Sequence, residues 1–336
     1  MTAEEKAERF RQILQAIEAE IGGVIVGHQE VIRGVLICLS SGGHALLEGV
    51  PGLGKTILVK TLSRCLDLEF SRVQFTPDLM PADIIGTNII VETPEGRQFR
   101  FQKGPLFGQI VLADEINRAT PKTQSALLEA MQELSVTVGG VQHRLKLPFC
   151  VLATQNPIEM EGTYPLPEAQ LDRFFFKLKV SYPTEDELSE IVERTTKAEE
   201  VSVKKVMGAE EVEAMKAFIR EIPIASHVKA YASRLILTTH PETPSSPELV
   251  KRFVRYGSSP RGAQALVLAG KVNALLSSRF NVSFDDIRDA ALPALRHRLI
   301  FSFEGEAEGI DPDRIIEEVL KNVPTEEPKR TVLSGR

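Results

Sequence analysis

The run Gly49-Val50-Pro51-Gly52-Leu53-Gly54-Lys55-Thr56 sets glycines, a lysine and a hydroxyl at the spacing G-x-x-x-x-G-K-[ST]. Residues so spaced capture a polyphosphate. Glycines let backbone N–H groups close around phosphate oxygens, and a helix starting there adds its partial positive charge. Lys55 would neutralise β and γ oxygens of a nucleoside triphosphate, and the Thr56 hydroxyl would reach Mg²⁺. A second element is the apolar run Ile110-Val111-Leu112-Ala113, which delivers two adjacent carboxylates, Asp114 and Glu115. Asp114 suits a metal held through water, and Glu115 suits the orientation and polarisation of an attacking water. Asn156, at the end of another apolar run, offers an amide to the γ-phosphate or to that water. Two arginines complete the set: Arg173 in Leu171-Asp172-Arg173-Phe174, and Arg261 in Ser258-Ser259-Pro260-Arg261-Gly262. Phosphoryl transfer gains from positive charge on the γ-phosphate, and an inserted arginine is worth roughly 10³ to 10⁵ in rate.

These groups must be held by a scaffold, and the hydrophobic pattern supplies one. Short runs that are apolar throughout recur at 44–48, 70–73, 110–113, 150–154 and 174–178, separated by helix-length segments. That pattern predicts a doubly wound α/β domain whose parallel sheet is covered on both faces. Two hairpins are expected as inserts. Thr87 to Val91 and Arg97 to Phe101 flank Pro94-Glu95-Gly96, while Val136 to Val138 and Val141 to Leu147 flank the primed-turn signal Gly139-Gly140. Phe10, Ile13, Leu14, Ile17 and Ile21 recur at helical spacing, so a helix is expected over 3–21, closed by Gly22-Gly23. Past Tyr182-Pro183, Thr184 and Glu187 form a capping box and strand signals fade. The expected organisation is an αβα domain at 1–183, an all-helical domain at 184–320 and a fraying tail at 321–336.

Composition narrows the function classes. With 336 residues, 43% apolar and 26% charged, the chain is long and apolar enough for two packed units. A net charge of −6 argues against bulk affinity for nucleic acid, and 6% aromatics without tryptophan gives few platforms for stacking bases. The charged N-terminus and the absence of a long uncharged run argue against export or membrane insertion. Cys38, Cys65 and Cys150 lie among apolar neighbours, which suits buried thiols in a reducing cytoplasm. The six histidines show no ligand spacing.

With these motifs in this order, the chain resembles an AAA+ ATPase. The wording Lys103-Gly104-Pro105-Leu106-Phe107, Leu112 to Ala119 and Ala153-Thr154-Gln155-Asn156-Pro157 resembles the MoxR family, over about Val26 to Ile300. The resemblance implies a P-loop fold with an all-α lid, the hairpins being the helix 2 and pre-sensor 1 inserts. It implies that Lys55 and Thr56 are Walker A, Asp114 and Glu115 Walker B, Asn156 sensor 1, Arg173 the arginine finger and Arg261 sensor 2. Val26-Gly27-His28-Gln29 resembles the segment lining the adenine pocket, with Val26 and Gly27 implied as cofactor-binding. Family members are similar in forming rings, usually hexamers, of chaperone-like ATPases. They act with proteins bearing a von Willebrand factor A domain, often in maturation of a metal centre or complex. Arg118 is a second candidate for contact across a subunit boundary, and the sequence leaves open whether Arg261 acts in cis or in trans.

Three other function classes fit the sequence less well. A nucleic-acid motor would use Arg97, Arg100, Lys103, His143, Arg144 and Lys146 on the hairpins, where a solvated face explains them more simply. A GTPase would want Asp where Thr196-Lys197-Ala198-Glu199 has Glu. An ATP-gated scaffold with little turnover sits poorly with intact Glu115, Asn156 and Arg173.

Overall fold

The apolar runs become five strands: β1 (Ala45–Glu48), β2 (Phe70–Gln74), β3 (Ile110–Asp114), β4 (Cys150–Gln155) and β5 (Phe176–Lys179). In the computed structural model they pair in parallel, in the order β2-β3-β4-β1-β5. Residues 2–94, 96–157, 163–197 and 201–325 are described. Val111, Leu112 and Ala113 of β3 and Val151, Leu152 and Ala153 of β4 are fully buried, because helices cover both faces and no side of these strands meets water. β2 lies at an edge and is the polar strand, with Ser71, Arg72 and Gln74. Its register sets Gln74 beside Asp114.

The first helix spans Ala3–Val24, opened by a Thr2–Glu5 capping box, and buries Phe10, Leu14, Ile17 and Ile21. It continues through Gly22-Gly23, where the sequence suggested an end. The cause lies far along the chain: Arg194 Nη1 donates to the carbonyls of Gly22 and Gly23, both at 2.9 Å, and satisfies the last turn. Both hairpins form as antiparallel pairs outside the main sheet, Gly86–Thr93 with Gly96–Lys103 and Ser135–Val138 with Val141–Arg144. Gly139 and Gly140 take φ of 58° and 80°, the primed turn that the glycine pair signalled. The rings of Phe101 and His143 stack at 3.9 Å and join the two inserts.

Two units make up the chain, Met1–Ile219 and Arg220–Arg336. The expected junction at 183/184 falls inside the first. Helix Glu185–Thr196, capped by Thr184 and Glu187, belongs there through Arg194. The following segment is tied in by Lys204 N–H to Glu20 (2.9 Å) and Val206 N–H to the Cys65 carbonyl (2.7 Å).

The second unit is helical as expected, with Tyr231, Leu235, Leu266, Val272, Ile287, Ile315 and Ile316 at its centre. It adds a small antiparallel pair, Val254–Tyr256 with Ile300–Phe301, where a continuing helix was expected. The preceding helix ends at Phe253, where Val254 takes extended backbone, and β-branched Val254 and aromatic Tyr256 favour the strand. The expected helix over 285–300 breaks into Phe284–Asp289 and Ala291–Leu295, since Pro293 cannot accept a place deeper in one continuous helix. A final helix, Pro312–Asn322, reaches into the expected tail, and 326–336 lie outside the described residues, as do Glu95, Ala198 and Glu199. The three cysteines are buried as thiols, with burial pushing Cys150 up to about 12 and Cys65 to about 11. Among the described residues, no helix is long and apolar enough to cross a membrane.

Candidate active site

Parallel strands point their C-terminal ends to one edge, so the loops after β1, β3 and β4 meet there. After Glu48 the chain turns through Gly49 to Gly54 and enters helix Lys55–Cys65. Gly52 and Gly54 take φ of 88° and 75°, backbone that side chains resist. Gly49 is required for space, since a Cβ there would stand 2.8 Å from the Val180 carbonyl oxygen. Gly54 caps the helix without a side chain, leaving the first-turn N–H groups for a ligand. Lys55 Nζ donates to the carbonyls of Gly49 (2.5 Å) and Val50 (2.9 Å). Burial lowers the Lys55 pKa, while Asp114 and Glu115 pull it back up.

A cavity of about 350 Å³ brings Lys55, Thr56, Asp114, Glu115 and Asn156 together, with Pro51, Gly52 and Gly54 beside them. Leu53 is not part of its lining. Three polar residues that sequence reasoning missed line it too: Arg72, Gln74 and Thr154. Thr154 Oγ1 donates to Asp114 Oδ1 (2.7 Å) and accepts from the Glu115 N–H (2.8 Å), so one buried hydroxyl orders both acidic residues. Arg72 grips Asp114 Oδ2 with Nε (3.1 Å) and Nη2 (2.7 Å) and reaches Gln74 Oε1 (3.0 Å). Gln74 Nε2 donates to Glu115 Oε2 (2.8 Å), and Arg118 Nη1 donates to the same oxygen (3.0 Å). Glu115 itself takes left-handed backbone, φ 55° and ψ 51°, turning the chain sharply after β3.

The remaining expected residues are elsewhere. Arg173 follows the short helix Glu168–Leu171 ahead of β5, half-buried, and does not line this cavity. Arg261 opens helix Pro260–Leu276 in the second unit, its N–H bonded to the capping Ser259 hydroxyl. Val26 and Gly27 line a separate cavity of about 500 Å³ with Glu18, Ile32, Arg33 and Arg194. There Gly27 has φ 70°, and a Cβ would stand 2.5 Å from Glu187 Oε1.

The donor set suits a hard divalent cation: the Thr56 hydroxyl and the Asp114 carboxylate are oxygen donors beside an uncapped helix start. Sheet order, glycine loop and acidic pair together define a P-loop nucleoside triphosphatase. Residues 44–176 match the ATPase family associated with various cellular activities (AAA), and residues 247–319 match the AAA lid domain. The chain is 40% identical to chaperone MoxR1 of Mycobacterium tuberculosis, over 90% of this chain and 80% of that one. It is 42% identical to the uncharacterised protein YeaC of Bacillus subtilis over 94% of this chain and 96% of the relative. Protein MoxR of Paracoccus denitrificans is 31% identical over 94% of this chain and 96% of its own length. The crystal structure of a candidate ATPase from Cytophaga hutchinsonii, 40% identical, superposes with a TM-score of 0.90 over 97% of this chain and 98% of that one. The chain belongs to the MoxR family of AAA+ ATPases, and its reaction is the hydrolysis of ATP.

Proposed function

We propose that this ATPase is Mg²⁺-dependent and works as a ring of its own copies, a hexamer, in the cytoplasm. Its ATP hydrolysis is coupled to remodelling, activation or metal-cofactor maturation of a client complex that carries a von Willebrand factor A domain. The observation that carries the chemical part is the meeting of Lys55, Thr56, Asp114, Glu115 and Asn156 in one cavity at the sheet's C-terminal edge. In this reading Gly49 to Gly54 cradle the phosphates, Lys55 exchanges its loop carbonyls for β and γ oxygens, and Thr56 and Asp114 hold the cation. Bound there, Mg²⁺ neutralises charge on the phosphate oxygens. Glu115 polarises the attacking water, Asn156 positions it, and Val26 and Gly27 flank the base. Arg173 serves a neighbouring subunit, a role supported by its place outside its own chain's cavity. Arg261 acts as the lid's sensor. The client role is supported by kinship with a protein named as a chaperone.

Replacing Glu115 with Gln is expected to keep ATP binding and nearly abolish turnover; unchanged turnover removes Glu115 from the mechanism. Mixing Arg173→Ala with Lys55→Ala subunits is expected to restore activity, and failure to do so argues against action in trans. Purification of the native complex with mass spectrometry of what accompanies it tests the client. A nucleic-acid motor is the weaker reading, since Arg97 pairs with Glu92, Lys146 with Glu69, and His143 stacks on Phe101.

A further inference from the structure

The acidic pair is not an open chelator. Asp114 spends Oδ1 on Thr154 and Oδ2 on two nitrogens of Arg72, and its side chain is only 13% exposed. Glu115 is engaged by Gln74 and Arg118. Within the cavity lining the two carboxylates face two cations, Lys55 and Arg72, so the walls carry no net negative charge. A free divalent cation arriving there finds its best oxygen held and no surplus charge to repay its dehydration. The polyphosphate of a nucleotide brings that charge with it.

We propose that Arg72 is a positioning residue that bars free divalent cations from Asp114, so that the metal is accepted only together with the nucleotide's phosphates. This rests on the assignment of Asp114 as a metal-binding carboxylate made above. Arg72 is suited to the task by its place on the edge strand β2. Its guanidinium is held along one edge, Nε and Nη2 on Asp114 and the same Nη2 on Gln74, while its side chain stays 48% exposed and able to yield. A lysine in its place would keep the charge and lose the fork. The consequence is an order of events in which the site takes up metal–nucleotide as one unit and does not sit loaded with metal beforehand.

The test is Mn²⁺ binding to the full chain without nucleotide, read by the loss of the free-ion electron spin resonance signal. Removing the positive charge that sits on Asp114 is expected to tighten free Mn²⁺ binding about tenfold in Arg72→Gln. The gain is expected to vanish in the double variant Arg72→Gln, Asp114→Asn, and Arg72→Lys is expected to stay near the parent. ADP binding by each variant, measured alongside, reports that the site is folded. If Arg72→Gln binds free Mn²⁺ no better than the parent while Asp114→Asn weakens Mn²⁺–ADP binding, the inference falls and the assignment of Asp114 stands. If Arg72→Lys gains as much as Arg72→Gln, exclusion by charge is overturned. If Asp114→Asn leaves Mn²⁺–ADP binding unchanged, the metal assignment falls and takes the inference with it.

Discussion

His44, the residue just before β1, is buried, which gives the chain a measurable acid sensitivity. Its Nδ1 accepts from the Val151 N–H at 3.0 Å, so the proton resides on Nε2, which donates to the Met131 carbonyl at 3.3 Å. Adding a second proton would set two N–H groups against each other in a pocket closed by the edge of Phe149. Burial therefore lowers the pKa from 6.5 to about 4; the Met131 carbonyl opposes that shift and Lys216 adds to it. Between those values the unfolded chain binds a proton that the folded chain refuses. Stability from this residue is thus complete above pH 6.5 and declines as the pH falls toward 4. Integrating the two titrations, unfolding at pH 5 costs about 2 kcal/mol less than at pH 7. Urea unfolding followed by far-ultraviolet circular dichroism at both pH values, on the parent and on His44→Gln, isolates this contribution by difference. The variant is less stable at pH 7 and loses about 2 kcal/mol less on acidification. Equal losses in the two proteins would refute the assignment of a neutral, doubly bonded imidazole.

Thr154→Val keeps shape but leaves the Glu115 N–H without its acceptor, so stability falls by about 1–3 kcal/mol and turnover drops at least tenfold, roughly, with ATP affinity little changed. Comparing kcat with nucleotide affinity checks it, and parent-like turnover would show that the hydroxyl does not order the acidic pair. Gly49→Ala forces a Cβ against the Val180 carbonyl, and nucleotide titration is expected to show affinity weakened by about tenfold or more. Arg194→Ala strips the first helix of its terminal partner at Gly22 and Gly23. A loss of about 1 kcal/mol, seen as a Tm lower by roughly 2–4 °C, is expected in a thermal scan.

How far the sequence could be read followed from how local each constraint is. The phosphate loop was legible because its demands, left-handed glycines and a lysine at the helix start, are met within eight neighbouring residues. The central strands were legible because burial on both faces leaves β3 and β4 almost wholly apolar, whereas the edge strands β2 and β5 keep polar residues. The end of the first helix was misjudged because Gly22-Gly23 reads as a stop until Arg194, distant in sequence, bonds their carbonyls. Arg72 and Gln74 are hidden in the sequence because the run 70–73 reads simply as one more strand of the sheet. Their i, i+2 spacing on a strand next to the acidic pair's strand was the available signal, since it puts both on one face beside Asp114. Thr154 gave a similar hint, a hydroxyl closing the apolar run Cys150 to Ala153. The small strand pair of the second unit had no such cue, because Val254 and Ile300 are far apart in sequence and each fits a helix pattern.

The left-handed backbone of Glu115 implies a standing conflict at this one position. An L-residue held there costs of the order of 1 kcal/mol relative to glycine, which would occupy the same turn without strain. Drift toward a sturdier protein therefore points toward Glu115→Gly, the very exchange that deletes the carboxylate. Any lineage that ceased to need hydrolysis would be rewarded for crossing that line, and one that keeps the acid carries its strain in every generation.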